Sequence, residues 1–128
     1  FKIIDKSKKN LIITDGLQHN FLLDNFKFKF NMLDNNTYQI NHGNNFVILF
    51  NNINFFDIQY LLYNSDLLVS CHGAVTNVAA ALNIKIFDII DPSEDLLFQK
   101  YTAHFRNYTS FKRANFSTLA EDIISKLS

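Results

Sequence analysis

The sequence predicts an α/β fold in which a parallel sheet is flanked by helices. Three observations carry that expectation. Short β-branched and aromatic runs alternate with segments of helical periodicity through the second half of the chain. Successive runs start about 20 residues apart, which is room for a right-handed strand–helix–strand crossover. The chain has 128 residues, 48% of them hydrophobic, which suits one domain, residues 1–128, whose core needs no metal or disulfide staple.

Taken in order, residues 2–5 and 10–15 read as two strands around the polar turn Lys6-Ser7-Lys8-Lys9. Residues 21–33 mix alternation (Phe26, Phe28, Phe30) with a helical pattern (Phe21, Leu22, Asn25, Phe26), and both assignments stay open. The run Phe46-Val47-Ile48-Leu49-Phe50 is the first strand of the parallel series. A helix follows from Asn54, with Ile58, Leu61 and Leu62 at i, i+3, i+4 spacing, and ends near Asn64-Ser65. Leu67-Leu68-Val69-Ser70-Cys71 is the second strand, His72-Gly73 a turn, and residues 74–83 an alanine-rich helix. Residues 85–90 form the third strand. Asp91-Pro92 caps a further helix with Leu96, Leu97 and Tyr101 inward, and Thr118 opens a capping box for a last helix with Leu119, Ile123 and Leu127 inward.

Composition narrows the function classes. Twelve basic and twelve acidic residues cancel, but residues 1–30 carry +3, residues 31–98 carry −6 and residues 99–128 carry +3. An acidic centre argues against a nucleic-acid surface, which needs one continuous basic footprint. The five-residue run at Phe46 falls far short of the roughly 20 apolar residues a membrane-spanning helix needs. The lone Cys71 suggests a reducing compartment. A start at Phe1 without a leader suggests a domain of a longer protein. Seventeen Asn and fourteen Ile are what an AT-rich genome favours, so Asn35-Asn36, Asn51-Asn52 and the glycosylation sequons at Asn35, Asn107 and Asn115 are given no functional weight.

The chemistry concentrates in Ser70-Cys71-His72-Gly73-Ala74-Val75-Thr76-Asn77. This segment leaves a strand and enters a helix whose first turn has no bulky or acidic side chain. The first amides of a helix lack intrahelical partners, and Gly73 and Ala74 let an anion approach them. The competing reading is that Gly73 and the alanines only allow close packing of helix on sheet. Asp88 and Asp91 flank the end of the third predicted strand, where a carboxylate can accept ribose or sugar hydroxyls; Asp91 is equally a helix cap. Arg106, Lys112 and Arg113 lie within eight residues and offer cations to a diphosphate. Tyr108 reads as core or as a base-stacking ring.

His72-Gly73-Ala74-Val75-Thr76-Asn77 resembles the His-Gly-Ala-x-Thr-Asn motif of the glycosyltransferases that include extracellular O-GlcNAc transferase and the plant xylan arabinosyl- and xylosyltransferases. The stretch from Asp66 to Ile84 is also similar to bacterial lipopolysaccharide heptosyltransferases. The resemblance covers residues 46–90. It implies the Rossmann-like carboxyl-terminal, nucleotide-sugar-binding half of a GT-B architecture, with a separate amino-terminal acceptor domain. His72 would then reach a phosphate or the sugar, Thr76 and Asn77 would contact the diphosphate or orient the loop, and Gly73 would permit the approach. The expected activity is transfer of a sugar from a nucleotide diphosphate sugar to a glycan or glycolipid. No metal or other cofactor is expected, and the expected location is cytoplasmic, extending to the inner face of a membrane. Two other classes compete: a non-catalytic α/β interaction module docking through the Phe-rich half, and a hydrolase using Cys71 with a partner such as His104.

Overall fold

The computed structural model describes residues 1–14, 30–113 and 115–127. Most of the ambiguous 21–33 stretch, including Phe26 and Phe28, lies outside the described residues. The chain divides into two compact units, one built on Phe1–Asn54 and the other on Phe55–Lys126, where its length suggested one.

The first unit opens with helix α1 (Lys2–Ser7), not the strand expected over residues 2–5. Isoleucine favours strands, but that preference is small and packing context overrides it in so short a segment. Here Ile4, 1% exposed, joins Ile40, Val47 and Leu49 in a core, and Lys8 at φ 57° turns the chain out of the helix. Strands β1 (Leu11–Thr14), β2 (Asn31–Asp34), β3 (Thr37–His42) and β4 (Asn45–Phe50) form one sheet in the order β1-β4-β3-β2. β4 runs parallel to β1 and antiparallel to β3. The run at Phe46 is therefore not the first member of the parallel series predicted for the second half. It belongs to a hairpin closed by Gly43, whose φ of +60° carries no steric cost for glycine.

The second unit is an α/β layer with a Rossmann-like sheet: β5 (Leu67–Cys71), β6 (Lys85–Ile90) and β7 (Tyr108–Lys112) are all parallel, in the order β5-β6-β7. Helices α2 (Phe55–Tyr63), α3 (Ala74–Ala81), α4 (Asp95–Thr102) and α5 (Phe116–Ser125) flank it, with a single 3₁₀ turn over Pro92–Glu94. The series is shifted by one strand from the expectation. Its third member is Tyr-Thr-Ser-Phe-Lys, an edge strand in which Phe111 alone is deeply buried, so its hydrophobic signal is weak.

One sheet face carries Ile86, packed with Leu62 of α2, Ala79 of α3 and Ile84, and joined by Ile58, Leu68, Val75, Val78 and Tyr108. On the other face Phe87 and Phe111 meet edge to face at 5.2 Å. Burying side chains the size of Phe87 and Ile86, each 1% exposed, contributes about 1.5–3 kcal/mol apiece. Ala79 is fully buried; a larger residue there would hold α3 off the sheet. The helix stops where Asn83 takes φ 57° and the Ile84 amide donates to the Ala79 carbonyl at 3.0 Å.

Two helix expectations are corrected. Leu96, Leu97 and Tyr101 are 78%, 47% and 63% exposed, so they form an outward stripe on α4 instead of an inward one. α5 is capped by Asn115, whose side chain accepts from the Ser117 amide at 3.0 Å, rather than by a box starting at Thr118. Leu119 and Ile123 are buried as the periodicity requires.

Candidate functional site

The parallel strands deliver their carboxyl ends to one edge of the sheet, where the β5–α3 loop emerges. The His72 amide still donates to the Ile89 carbonyl at 3.3 Å, so the ladder runs one residue past β5 and ties the loop to β6. Gly73 is the residue before α3, with extended backbone (φ 174°). Its carbonyl accepts from the amides of Thr76 and Asn77 at 3.1 and 3.4 Å and from Asn77 Nδ2 at 3.2 Å, and its own amide donates to Thr76 Oγ1 at 3.3 Å. Among the described residues this leaves the amides of Ala74 and Val75 without partners. They are the two donors an anion would find at this helix start.

Of the predicted phosphate contacts, Thr76 is completely buried. Its hydroxyl lies 3.4 Å from Ser70 Oγ as well as on the Gly73 amide, so it shapes the loop from beneath. Asn77 is exposed and also spends its side-chain amide on Gly73. A Cβ added to Gly73 would meet only the Cys71 carbonyl, at 4.0 Å. Helix packing therefore does not demand glycine here, although Ala79 shows that it demands a small residue further along.

His72 is held from inside. Its Nδ1 lies 2.5 Å from Asp88 Oδ2, and the Tyr108 hydroxyl donates to the same oxygen at 2.9 Å. Asp88 is fully buried at the middle of β6, opposite Ser70 and Ser110, and its Oδ1 is buried with no hydrogen-bond partner among the described residues. The His72 ring packs on Phe98 of α4, centroids 4.5 Å apart. Burial first, and then the Asp88 carboxylate, push the Tyr108 phenol far above its ordinary value, because ionisation would place a second negative charge beside the first. Asp88 thus anchors a histidine in place of the ribose hydroxyl expected of it. The sequence offered no sign of this, since His72, Asp88 and Tyr108 are separated by 16 and 20 residues and meet only through strand register.

The other predicted contacts divide. Asp91 is exposed, and its Oδ1 accepts from the Ser93 amide and hydroxyl at 2.9 and 2.7 Å. Those two bonds hold its carboxyl below the usual range, with a smaller contribution from Arg113. It is a cap to the 3₁₀ turn, the alternative the sequence allowed. Arg113 follows β7 at the carboxyl edge, its amide donating to the Ile90 carbonyl at 2.9 Å, and so stands on the side of the loop. Arg106 precedes β7, at the opposite edge, separated from the loop edge by the length of a strand, roughly 16 Å. It lines an open cleft of about 480 Å³ with Asn77, Ala80, Asn83, His104 and Phe105. His104 shares that cleft, whereas Cys71 is at the end of β5, so a Cys71–His104 pair is not formed.

What the arrangement offers is a histidine whose one nitrogen is committed to a buried carboxylate, beside two amides without partners among the described residues, at the edge of the sheet where Arg113 follows β7. Compared with protein-family models, with curated proteins and with solved structures, the chain matches none.

Proposed function

We propose that the unit Phe55–Lys126 is the donor-binding half of a glycosyltransferase of GT-B type, which takes a nucleotide diphosphate sugar and passes the sugar to a glycan or glycolipid. The observation that carries the reading is His72 pinned by Asp88 next to the Ala74 and Val75 amides, which have no partner among the described residues, at the carboxyl edge of a parallel sheet. The diphosphate would lie on those amides with His72 and Arg113 as its charged neighbours. Two hydrogen bonds to a charged group contribute about 1.5–3 kcal/mol each and a helix terminus about 0.3–2 kcal/mol. Set against the roughly 4 kcal/mol of a millimolar site and 8 kcal/mol of a micromolar one, the loop alone supports weak diphosphate binding, and the base and sugar must supply the rest.

Transfer itself would need an acceptor-side base from a further, amino-terminal domain, and the reading places the reaction in the cytoplasm or at the inner face of a membrane. No helix among the described residues is long and apolar enough to cross one. The test is calorimetry of the chain with UDP, GDP, ADP and CMP sugars. Binding to one of them is expected, and no binding to any at millimolar ligand defeats the reading.

A second reading is a non-catalytic interaction module. The exposed apolar side chains on α2 (Phe56, Tyr60, Tyr63) and α4 (Leu96, Tyr101) favour it. It expects phosphate to leave hydrogen exchange in α3 unchanged, whereas the donor-site reading expects added phosphate to protect that helix.

A further inference from the structure

Asp88 and Tyr108 together dictate how the His72 ring carries its proton. A carboxylate only accepts hydrogen bonds, and the Tyr108 hydroxyl already donates to Asp88 Oδ2. The His72 nitrogen facing that oxygen must also donate, so Nδ1 holds a proton in both the neutral and the charged ring. The two ring nitrogens point apart, which directs Nε2 away from the buried carboxylate. Nε2 has no partner among the described residues.

We propose that Nε2 of His72 is the ligand-facing atom of the site, that Asp88 and Tyr108 are its positioning residues, and that a nucleoside diphosphate binds to the doubly protonated ring, so that a ring neutral in the free chain takes up one proton from solvent at Nε2. This rests on the donor-site reading for the ligand and on the structure for the ring. A phosphate oxygen is an acceptor, so it needs Nε2–H; with Nδ1 also protonated the ring is then an imidazolium. The one bond formed on the protein is Nε2–H, its proton released by water or a buffer acid, and that bond breaks again when the diphosphate leaves. The groups around the ring agree with that requirement. β6 presents the Asp88 carboxylate and β7 the neutral Tyr108 hydroxyl. α4 presents the Phe98 ring, its Asp95 being paired with Lys112 at 3.0 Å, and the adjoining start of α3 has only amide donors.

The experiment combines nitrogen-15 NMR of the histidine rings in the free chain with calorimetry of UDP in buffers of different ionisation enthalpy, at a pH where the NMR shows the free His72 ring neutral. Wild type is expected to show the neutral His72 ring protonated at Nδ1, and UDP binding with net proton uptake. Asp88→Asn, which can present its amide to the ring instead, should move the neutral proton to Nε2 and abolish the uptake. Tyr108→Phe, a milder change, should keep the tautomer, and His72→Gln should weaken UDP by about ten- to a hundredfold, the loss of one charged hydrogen bond, without proton uptake. A wild-type ring protonated at Nε2 when neutral, or UDP binding with no uptake, overturns the inference while leaving the donor site standing. Failure of both UDP and inorganic pyrophosphate to bind overturns the donor-site reading and the ligand half of this one, whatever tautomer the NMR finds.

Discussion

The Tyr108 hydroxyl donates a hydrogen bond, at 2.9 Å, to the one Asp88 oxygen that also holds His72, so the neutral state of the phenol and the orientation of the histidine are linked. The phenol is raised above its ordinary 10.0 by burial and by the carboxylate. A group raised in the folded state contributes stability that is complete below its unfolded value and is lost as pH climbs beyond it. Stability is therefore expected to fall from about pH 10 upward. In an alkaline titration followed by phenolate absorbance, one of the five tyrosines should ionise only as the chain unfolds, and Tyr108→Phe should remove that step. A phenolate at Tyr108 forming in the folded protein near pH 10 would contradict the linkage.

Asp88→Ala should cost about 1–3 kcal/mol for each donor it strands, the His72 Nδ1–H and the Tyr108 hydroxyl, since both lose their acceptor. Asp88→Asn keeps the volume and one acceptor and should cost less. Urea unfolding of the three proteins orders them; equal stability of wild type and Asp88→Ala would mean that the buried pair holds nothing together.

Gly73→Ala separates folding from binding. The new methyl meets only the Cys71 carbonyl at 4.0 Å, and the extended φ suits any residue. Stability should stay within about 0.5 kcal/mol, while affinity for UDP drops because the methyl stands beside the amides the phosphate needs. Unchanged affinity would show that no ligand comes close to Gly73.

Ala79 and Ala81 test the packing of α3. Ala79→Leu places extra volume at a fully buried position and should destabilise by about 1–3 kcal/mol. Ala81 is exposed, so Ala81→Leu should be near neutral. Denaturation midpoints that fall equally for both would argue that α3 does not rest on the sheet as described.

The asparagine-rich positions show how a compositional signal can mislead in one sense and inform in another. Asn35-Asn36 joins β2 to β3, and Asn52 and Asn83 both take φ 57°. Whatever drove their number, Asn52 and Asn83 stand where asparagine tolerates the left-handed backbone better than most residues. The same holds for Gly43: a His-Gly-Asn-Asn turn between alternating segments was a hairpin signal, and reading it would have taken residues 46–50 out of the parallel series.

By itself the sequence determined the α/β class of the second unit, two of its three parallel strands, the β5–α3 loop and the buried faces of α2 and α5. Those features follow from local periodicity, from small residues in a row and from turn chemistry, all of which act over a few neighbouring residues. Tertiary structure alone decided that residues 2–7 form a helix, that β4 pairs in another sheet, that a polar segment at Tyr108 completes the parallel set, and that Arg106 stands at the far edge from Arg113. It also decided the meeting of His72, Asp88 and Tyr108. Which residues of separate strands lie side by side depends on register, and register is chosen by the whole buried face at once.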